Sequence, residues 1–298
     1  MIDLIRSATV RTARKPTASR RRRWRWPDAG LLLGAAIVGV AIAAALGAPV
    51  LAPHDPTTQH LIDAFSPPTA TFPLGTDHLG RDILSRMLWG ARATLGSAGL
   101  VLAIVMVIGV GVGTLAGYWG GWVDQVLMRV VDLLLAFPGL ILAIAVAGTW
   151  GAGLWPIVLA TAATNWAGYA RIVRGLVLAT RQQEYVTAAQ MLGLSPLRII
   201  VGHVLRNVAG PLVVLASLDF GVIILGIAGL SFLGLGVQPP TPEWGAMLND
   251  AQPFLQTDPH LLLYPALAIF ATVLGCNLLG DGLRDRLDPQ HARQSEHR

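Results

Sequence analysis

The sequence predicts an all-α, polytopic membrane protein with six transmembrane helices and both termini in the cytoplasm, and three observations carry the prediction. Of its 298 residues, 53% are hydrophobic and only 13% charged, with a mean hydropathy of +0.57, whereas soluble domains carry about 25% charged residues. The charges leave long runs free of Asp, Glu, Lys and Arg, of the length a bilayer demands. Nineteen of the 22 Lys and Arg fall in alternate connections, on one side of the membrane. A crossing takes about 20 apolar residues, so this length holds about six with useful loops and leaves no room for a large soluble domain. A soluble enzyme is set aside on that ground.

A basic cytoplasmic tail at 1–29 precedes the first helix at 30–52. Its run LLLGAAIVGVAIAAALGAPVLA supplies about 33 Å of helix, enough for one span. An external segment, 53–92, follows. Residues 93–123 are again charge-free, densest in apolar residues near 95–115, and YWGG at Tyr118 to Gly121 closes this second helix. The 38 residues from Leu133 to Ala170 carry no charge and are too many for one span. GTWGAG at Gly148 to Gly153 divides them into a third and a fourth helix joined by a tight turn. The fifth helix runs from about residue 211 to 235 and the sixth from about 261 to 279, each bounded by Pro or Gly clusters and charges. Residues 93–280 therefore form a five-helix core with a cytoplasmic loop at 171–210, and a second cytoplasmic tail occupies 281–298.

Orientation follows from the basic residues, because short loops rich in them stay in the cytoplasm. The N-terminal segment holds nine, the fourth-to-fifth connection five (Arg171, Arg174, Arg181, Arg198, Arg206), the C-terminus four, and Arg129 lies between the second and third helices. Opposite them are Arg81 and Arg86, with Arg92 at a boundary. The run SRRRRWRW at Ser19 to Trp26 would suit nucleic acid or twin-arginine export. Directly before a first span it is better read as the anchor that holds an N-terminus inside, with its Trp residues in the headgroup layer. No nucleic-acid partner is expected. The apolar run that follows exceeds the 7–15 residue core of a cleaved signal peptide. Cys276 is the single cysteine and lies in an apolar stretch, so disulfide, zinc and redox chemistry are set aside.

The fourth-to-fifth loop is longer than a turn requires. Within QEYVTAAQMLGLSPLRIIVGHVLRN the pattern predicts a helix over about 183–192, a break at Gly193, and a second helix with Ser195 as N-cap and Pro196 in its first turn. Thr187, Ala188 and Ala189 leave a face without bulk, and Gly193 permits a sharp turn. A partner can approach the backbone there.

At these residues the sequence resembles the coupling loop of ABC importer permeases, which has an acidic residue, two alanines and a glycine shortly after; here Thr187 stands in place of the acid. HVLRN at His203 to Asn207 matches as well, with Arg206 where such permeases commonly have proline. Four further strings narrow the resemblance: PLGTDHLGRDILSRMLWGAR from Pro73, GGWVDQVLMRVVDLLLAFP from Gly120, LSFLGLGVQPPTPEWGAML from Leu230 and NLLGDGLRDRLDP from Asn277. Together they are similar to the second, C-type permease subunit of dipeptide, oligopeptide and nickel importers, over roughly residues 70 to 290.

The resemblance implies a type I ABC importer permease fold in the cell (inner) membrane. It also implies a homologous second permease, cytoplasmic ATP-binding subunits and an external substrate-binding protein as partners. Glu184, Thr187, Ala188, Ala189, Gly193, Leu194, Ser195 and Pro196 would make the coupling contact with the ATPases. No cofactor is expected on this chain, since it contains no GxxxxGK[ST] loop; ATP and magnesium would sit on the partner subunits. The external segment and the loop carrying QPPTPEW are the surface where a binding protein would dock, or a lid on the partner permease.

Asp219, Asn165 and Asn277 are candidates for the translocation path. An ionisable group inside a span is a functional candidate, but Asp219 also reads as close enough to the cytoplasmic end to reach water or a partner helix, and both readings stand. The two asparagines read more simply as interhelical hydrogen-bond donors. Many family members have a polar residue where Ile227 stands. Gly109, Gly111, Gly113 and Gly117 are read as helix packing, Gly234 and Gly236 as the place where the fifth helix unwinds, and Arg129 with Asp132 as a boundary ion pair. His54, His60, His78 and His260 with Asp55, Asp63, Asp77 and Asp258 show no tight ligand spacing, so no metal site is expected.

A membrane enzyme would need a nucleophile and base in a pattern such as GxSxG or HExxH, and neither occurs. A self-sufficient secondary transporter would show two similar halves, which are not found. Among importer substrates, short peptides are favoured over nickel or haem, because a metal route would offer His, Cys or carboxylate ligands along the spans.

Overall fold

The computed structural model describes residues 29–287; the expected basic tail at 1–29, except its last residue, and the end of the C-terminal tail lie outside them. Ten α-helices make up the described part, and among these residues no strand forms beyond one isolated bridge between Thr76 and Asp82. The long elements are α1 (Ala29–Leu51), α2 (Ile83–Trp119), α3 (Gly121–Leu135), α4 (Gly139–Trp150), α5 (Leu154–Arg181), α8 (Leu205–Phe232) and α10 (His260–Leu287). Between them lie α6 (Glu184–Met191), α7 (Pro196–Ile199) and α9 (Trp244–Ala251).

Four helical stretches are by themselves long and apolar enough to cross a membrane, and α3 with α4 adds a fifth if the two are taken as one broken span. α5 has the length, at 28 residues, but Asn165, Arg171, Arg174 and three threonines dilute its apolar character. Most boundaries move outward from the predicted ones. α2 begins at Ile83, inside the segment 53–92 that was expected to be external loop, because Asp82 caps it by accepting from the Ser85 amide at 3.1 Å. The fifth predicted helix and the second half of the 171–210 loop are one continuous helix, Pro196–Phe232, which passes through a π turn at Ile200–Val204. α5 likewise runs eleven residues into that loop, and α10 runs through 281–287 of the predicted tail.

The third predicted span differs most. α3 and α4 meet at 87°, because Pro138 can neither donate to the ladder nor let Phe137 stay helical. The expected turn at Gly148 to Gly153 does form, with Gly151 and Gly153 at positive φ.

In lipid, apolar side chains gain little from meeting each other, so helices associate where small residues let backbones close. α2 packs on α5 in this way: a Cβ on Gly109, Gly113 or Gly117 would come within 2.5, 2.5 and 2.9 Å of α5 atoms. Gly111 faces open space, so three of the four glycines read as packing residues do that work. The main core gathers Val101 and Val105 of α2, Ile157 and Val158 of α5, and Ile224 and Ile227 of α8. α10 lies between α1 and α8, with Gly275 against Ile37 and Gly280 against Leu218.

Candidate functional site: a stiffened helical elbow and an opposing charged cluster

The 171–210 loop is a protrusion with its own apolar core. α5 ends at Arg181, and α6 follows after Gln182 and Gln183. Gly193, at φ +75, lets the chain reverse while the Leu194 amide donates to the Ala189 carbonyl at 3.2 Å and the Leu192 amide to Ala188 at 3.0 Å. Ser195 occupies the N-cap position with extended backbone, but its side chain makes no cap bond, so Pro196 at the first turn does the pre-organising. Beneath the turn, Val186 and Ala189 of α6 are buried with Val173 and Val177 of α5, Tyr118 of α2, and Ile199, Ile200, Val204 and Val208 of the following helix.

A second tie joins the two legs of the protrusion. The Asn207 amide donates to Thr180 Oγ1 at 3.2 Å, and that hydroxyl donates to the Leu176 carbonyl at 2.8 Å. The asparagine belongs to the HVLRN string, whose spacing alone did not reveal its partner.

The outer surface of the protrusion is apolar. Met191 is 83% exposed, Leu192 80% and Leu197 71%. Glu184, Thr187, Ala188, Gly193, Ser195 and Pro196 are exposed beside them. Glu184 sits in the first turn of α6, where the helix dipole favours a carboxylate. Ala189 departs from the expectation: it faces inward and does not contribute to the small outer face, while Leu194 is half-buried against the core.

The same end of the molecule carries two ion pairs that hold α3 on α5. Arg174 pairs with Asp124 and Arg171 with Asp132. The expected Arg129–Asp132 pair is thereby corrected, since Asp132 is engaged across helices by α5 and Arg129 is left exposed.

Asp219 is half-buried on α8 and has no ion-pair partner among the described residues. Its neighbour Leu218 packs on Gly280 of α10, and the Asp219 side chain lies beside Tyr169 of α5, midway along α8. The asparagines do not join helices as expected. Asn165 is exposed and donates to Thr161 O of its own helix at 2.7 Å, and Asn277 is exposed on α10 without a hydrogen-bond partner among the described residues. Amides on the outside of a lone chain remain available to a partner or a solute.

At the far end, the 53–82 segment and the loop after α8 are locked together by buried charge, which the sequence reading missed. Arg81, 1% exposed, donates through Nε to Asp77 at 2.6 Å and through Nη2 to Asp250 at 3.4 Å, and Arg86 reaches both carboxylates at 3.4 Å. Two cations against two anions leave the cluster neutral, as burial requires. A cavity of about 20 Å³ remains beside it. His78 borders the cavity and stacks on Phe254 at 5.0 Å; burial pushes it below its ordinary pKa, against the pull of Asp77. Glu243, fully buried, caps α9 by accepting from the Gly245 and Ala246 amides and from Thr94 Oγ1. A usable signal existed: Arg81 and Arg86 are the only cations in the 53–88 stretch, and Asp77 stands four residues before Arg81. Among the described residues no group of three metal ligands converges.

The arrangement is a bundle of apolar helices with an apolar protrusion at one end and a cross-linked cap at the other. Residues 109–293 match the family described as binding-protein-dependent transport system inner membrane component. The nickel transport system permease protein NikC of Escherichia coli (strain K12) is 45% identical over 245 residues, covering 82% of this chain and 88% of that protein. The glutathione transport system permease protein GsiD of Pectobacterium atrosepticum is 45% identical over 250 residues, covering 84% and 83%. GsiD of Escherichia coli O6:K15:H31 is 42% identical over 260 residues, covering 87% and 86%. The chain therefore belongs to the inner-membrane permease family of binding-protein-dependent, ABC-type import systems, and its work is transport across a membrane.

Proposed function

We propose that this chain is one of two permeases that together form an import path for short peptides, with six spans and both termini in the cytoplasm. The observation that carries the coupling part is the α6 protrusion: exposed Met191, Leu192 and Leu197 on a turn fixed by its own core. A stiff lever suits a partner ATPase, which would bind ATP and magnesium and move α6 when it closes. A loose loop would absorb that motion. Placing α6 in the cytoplasm agrees with the charge asymmetry, since Arg171, Arg174, Arg181, Arg198 and Arg206 share its end. The opposite cap, held by Asp77, Arg81, Arg86 and Asp250, would then meet the external binding protein as a preformed surface.

Peptides are favoured because glutathione, named for two of the relatives, is itself a tripeptide. The exposed amides of Asn165 and Asn277 and the carboxylate of Asp219 offer weak polar contacts and no chelating set. Nickel is the second reading, supported by a relative of equal identity, and would pass as a chelate. Uptake of labelled di- to hexapeptides and of nickel is compared in strains with and without this chain. Loss of peptide uptake supports the proposal; unchanged peptide uptake with lost nickel uptake replaces the substrate and keeps the permease.

A further inference from the structure

A groove of about 450 Å³ opens between α5, α8 and α10, lined by Ile172 and Leu176, by Pro211, Leu215 and Leu218, and by Arg284. On α5, Tyr169, Ile172 and Leu176 recur at spacings of three and four; on α8, Leu215 and Asp219 are four apart. Tyr169 and Asp219 therefore continue the two groove-lining faces one turn deeper, and there their side chains lie beside each other. α8 and α10 run antiparallel, since Gly280 lies against Leu218 and Gly221 against Val273 and Cys276. Asp219 is one residue past Leu218 in one direction, and Arg284 is four residues past Gly280 in the other. At 1.5 Å per residue, the positions that carry the two charges are offset by about 8 Å along the helix axes.

Neither charge is balanced within the described residues. Asp219 and Arg284 make no ion pair there, and Asp281 and Asp285, which flank Arg284 on α10, do not reach it. Tyr169 is 4% exposed, and its hydroxyl has no hydrogen-bond partner elsewhere among the described residues. An ionisable group on a helix apolar enough to cross a membrane marks a solute path when it faces a watered cavity. Water reaches this level of the bundle, because the Arg171–Asp132 pair on the opposite side of α5 is exposed. A lipid chain in the groove would press methylene groups on the Asp219 carboxylate and leave it uncompensated. A zwitterion compensates both charges. Since an extended chain gains about 3.3–3.6 Å per residue, an ammonium and a carboxylate about 8 Å apart are the two ends of a peptide of two or three residues.

Resting on the reading of this chain as a permease for short peptides, we infer that the groove is a peptide subsite of the import path. The Asp219 carboxylate and the Tyr169 hydroxyl accept from the α-ammonium, and the Arg284 guanidinium donates to the α-carboxylate. Leu176, Leu215 and Leu218 face the peptide between them and offer no charge to its side chains. The subsite therefore reads length and free termini and tolerates varied composition, as a pocket with an apolar lining and a few placed polar groups does. Masking either terminus removes one of the two charge contacts.

The test is photolabelling of the complete transporter in detergent, without binding protein, by the radiolabelled tripeptide Ala–p-benzoylphenylalanine–Ala. The expected result is label on this chain within 172–176 or 211–218, reduced about tenfold by Asp219→Asn, by Arg284→Gln, and by N-acetylating or C-amidating the probe. Asp281→Asn, beside Arg284 on α10, should leave the label unchanged. The masked probes read the same contacts on the unaltered chain, so a variant that fails to assemble does not decide the matter. Label elsewhere, no label, or label insensitive to both masked probes overturns the inference, as does a phospholipid retained by the wild type and lost from Arg284→Gln in place of the probe. Uptake judges the peptide reading separately. If cells lacking this chain import short peptides normally, that reading fails; if they lose import while the groove stays unlabelled, only the subsite fails.

Discussion

Adding one methyl group at Gly113 tests the packing account within two residues. A Cβ there would lie 2.5 Å from the Ala170 carbonyl oxygen, 2.7 Å from Val173 Cβ and 3.0 Å from the Arg174 amide. Two of those atoms are backbone of α5, which no rotamer change can move. Ordinary contact begins at 3.4 Å, so α2 and α5 must part by about 1 Å, at an overpacking cost of about 1–3 kcal/mol. Gly111→Ala adds the same methyl on the same helix where nothing lies within 4 Å. Both variants gain the same helix propensity, up to about 1 kcal/mol over glycine, so their difference isolates the clash. Reversible denaturation of the purified complex should place Gly113→Ala about 1–3 kcal/mol below Gly111→Ala. Equal stabilities would refute the claim that the glycine face sets the distance between α2 and α5.

Three further outcomes follow from the site. Gly193→Val, which forces a β-branched residue to φ +75, or Ala188→Arg, which fills the small outer face, should reduce copurified ATPase or uptake at least tenfold at unchanged membrane level; normal import by both would remove the loop as transmission element. Asp250→Ala leaves Arg81 and Arg86 with one carboxylate between them, and breaking such a buried network costs about 3–5 kcal/mol, read as a lowered denaturation midpoint that Asp258→Ala should not reproduce. In a Cys276→Ala background, a cysteine at Gln190 should resist impermeant thiol reagents in intact cells and one at Thr241 should react; the reverse pattern would invert the orientation.

The charge-free runs overlap α1, α2, α4, α5, the Pro196–Phe232 helix and α10, because apolar side chains are what a helix in hydrocarbon needs, while charged α3 fell largely outside them. Their ends were less legible. α2 starts at Ile83 because Asp82 and Ser85 form a cap within a charged stretch, and hydropathy counts those charges against a helix. The α3–α4 bend was missed for the opposite reason: Pro138 sits in an unbroken apolar run, and a kink leaves no mark on composition. In the protrusion, Gly193 and Pro196 were readable as turn and start, since each restricts backbone angles locally. Ala189 was misassigned to the outer face because side-chain direction depends on where Val173 and Ile199 pack. The Arg81 network was hidden by distance, as Asp250 lies 169 residues further along.

Reconstitution tests the central claim most directly. The purified chain alone, and the chain with its second permease, ATPase subunits and binding protein, are placed in liposomes and assayed together for ATP hydrolysis and solute uptake. The account predicts that the chain alone does neither and that the complete assembly shows uptake dependent on ATP. Uptake or ATP hydrolysis by the isolated chain would contradict it.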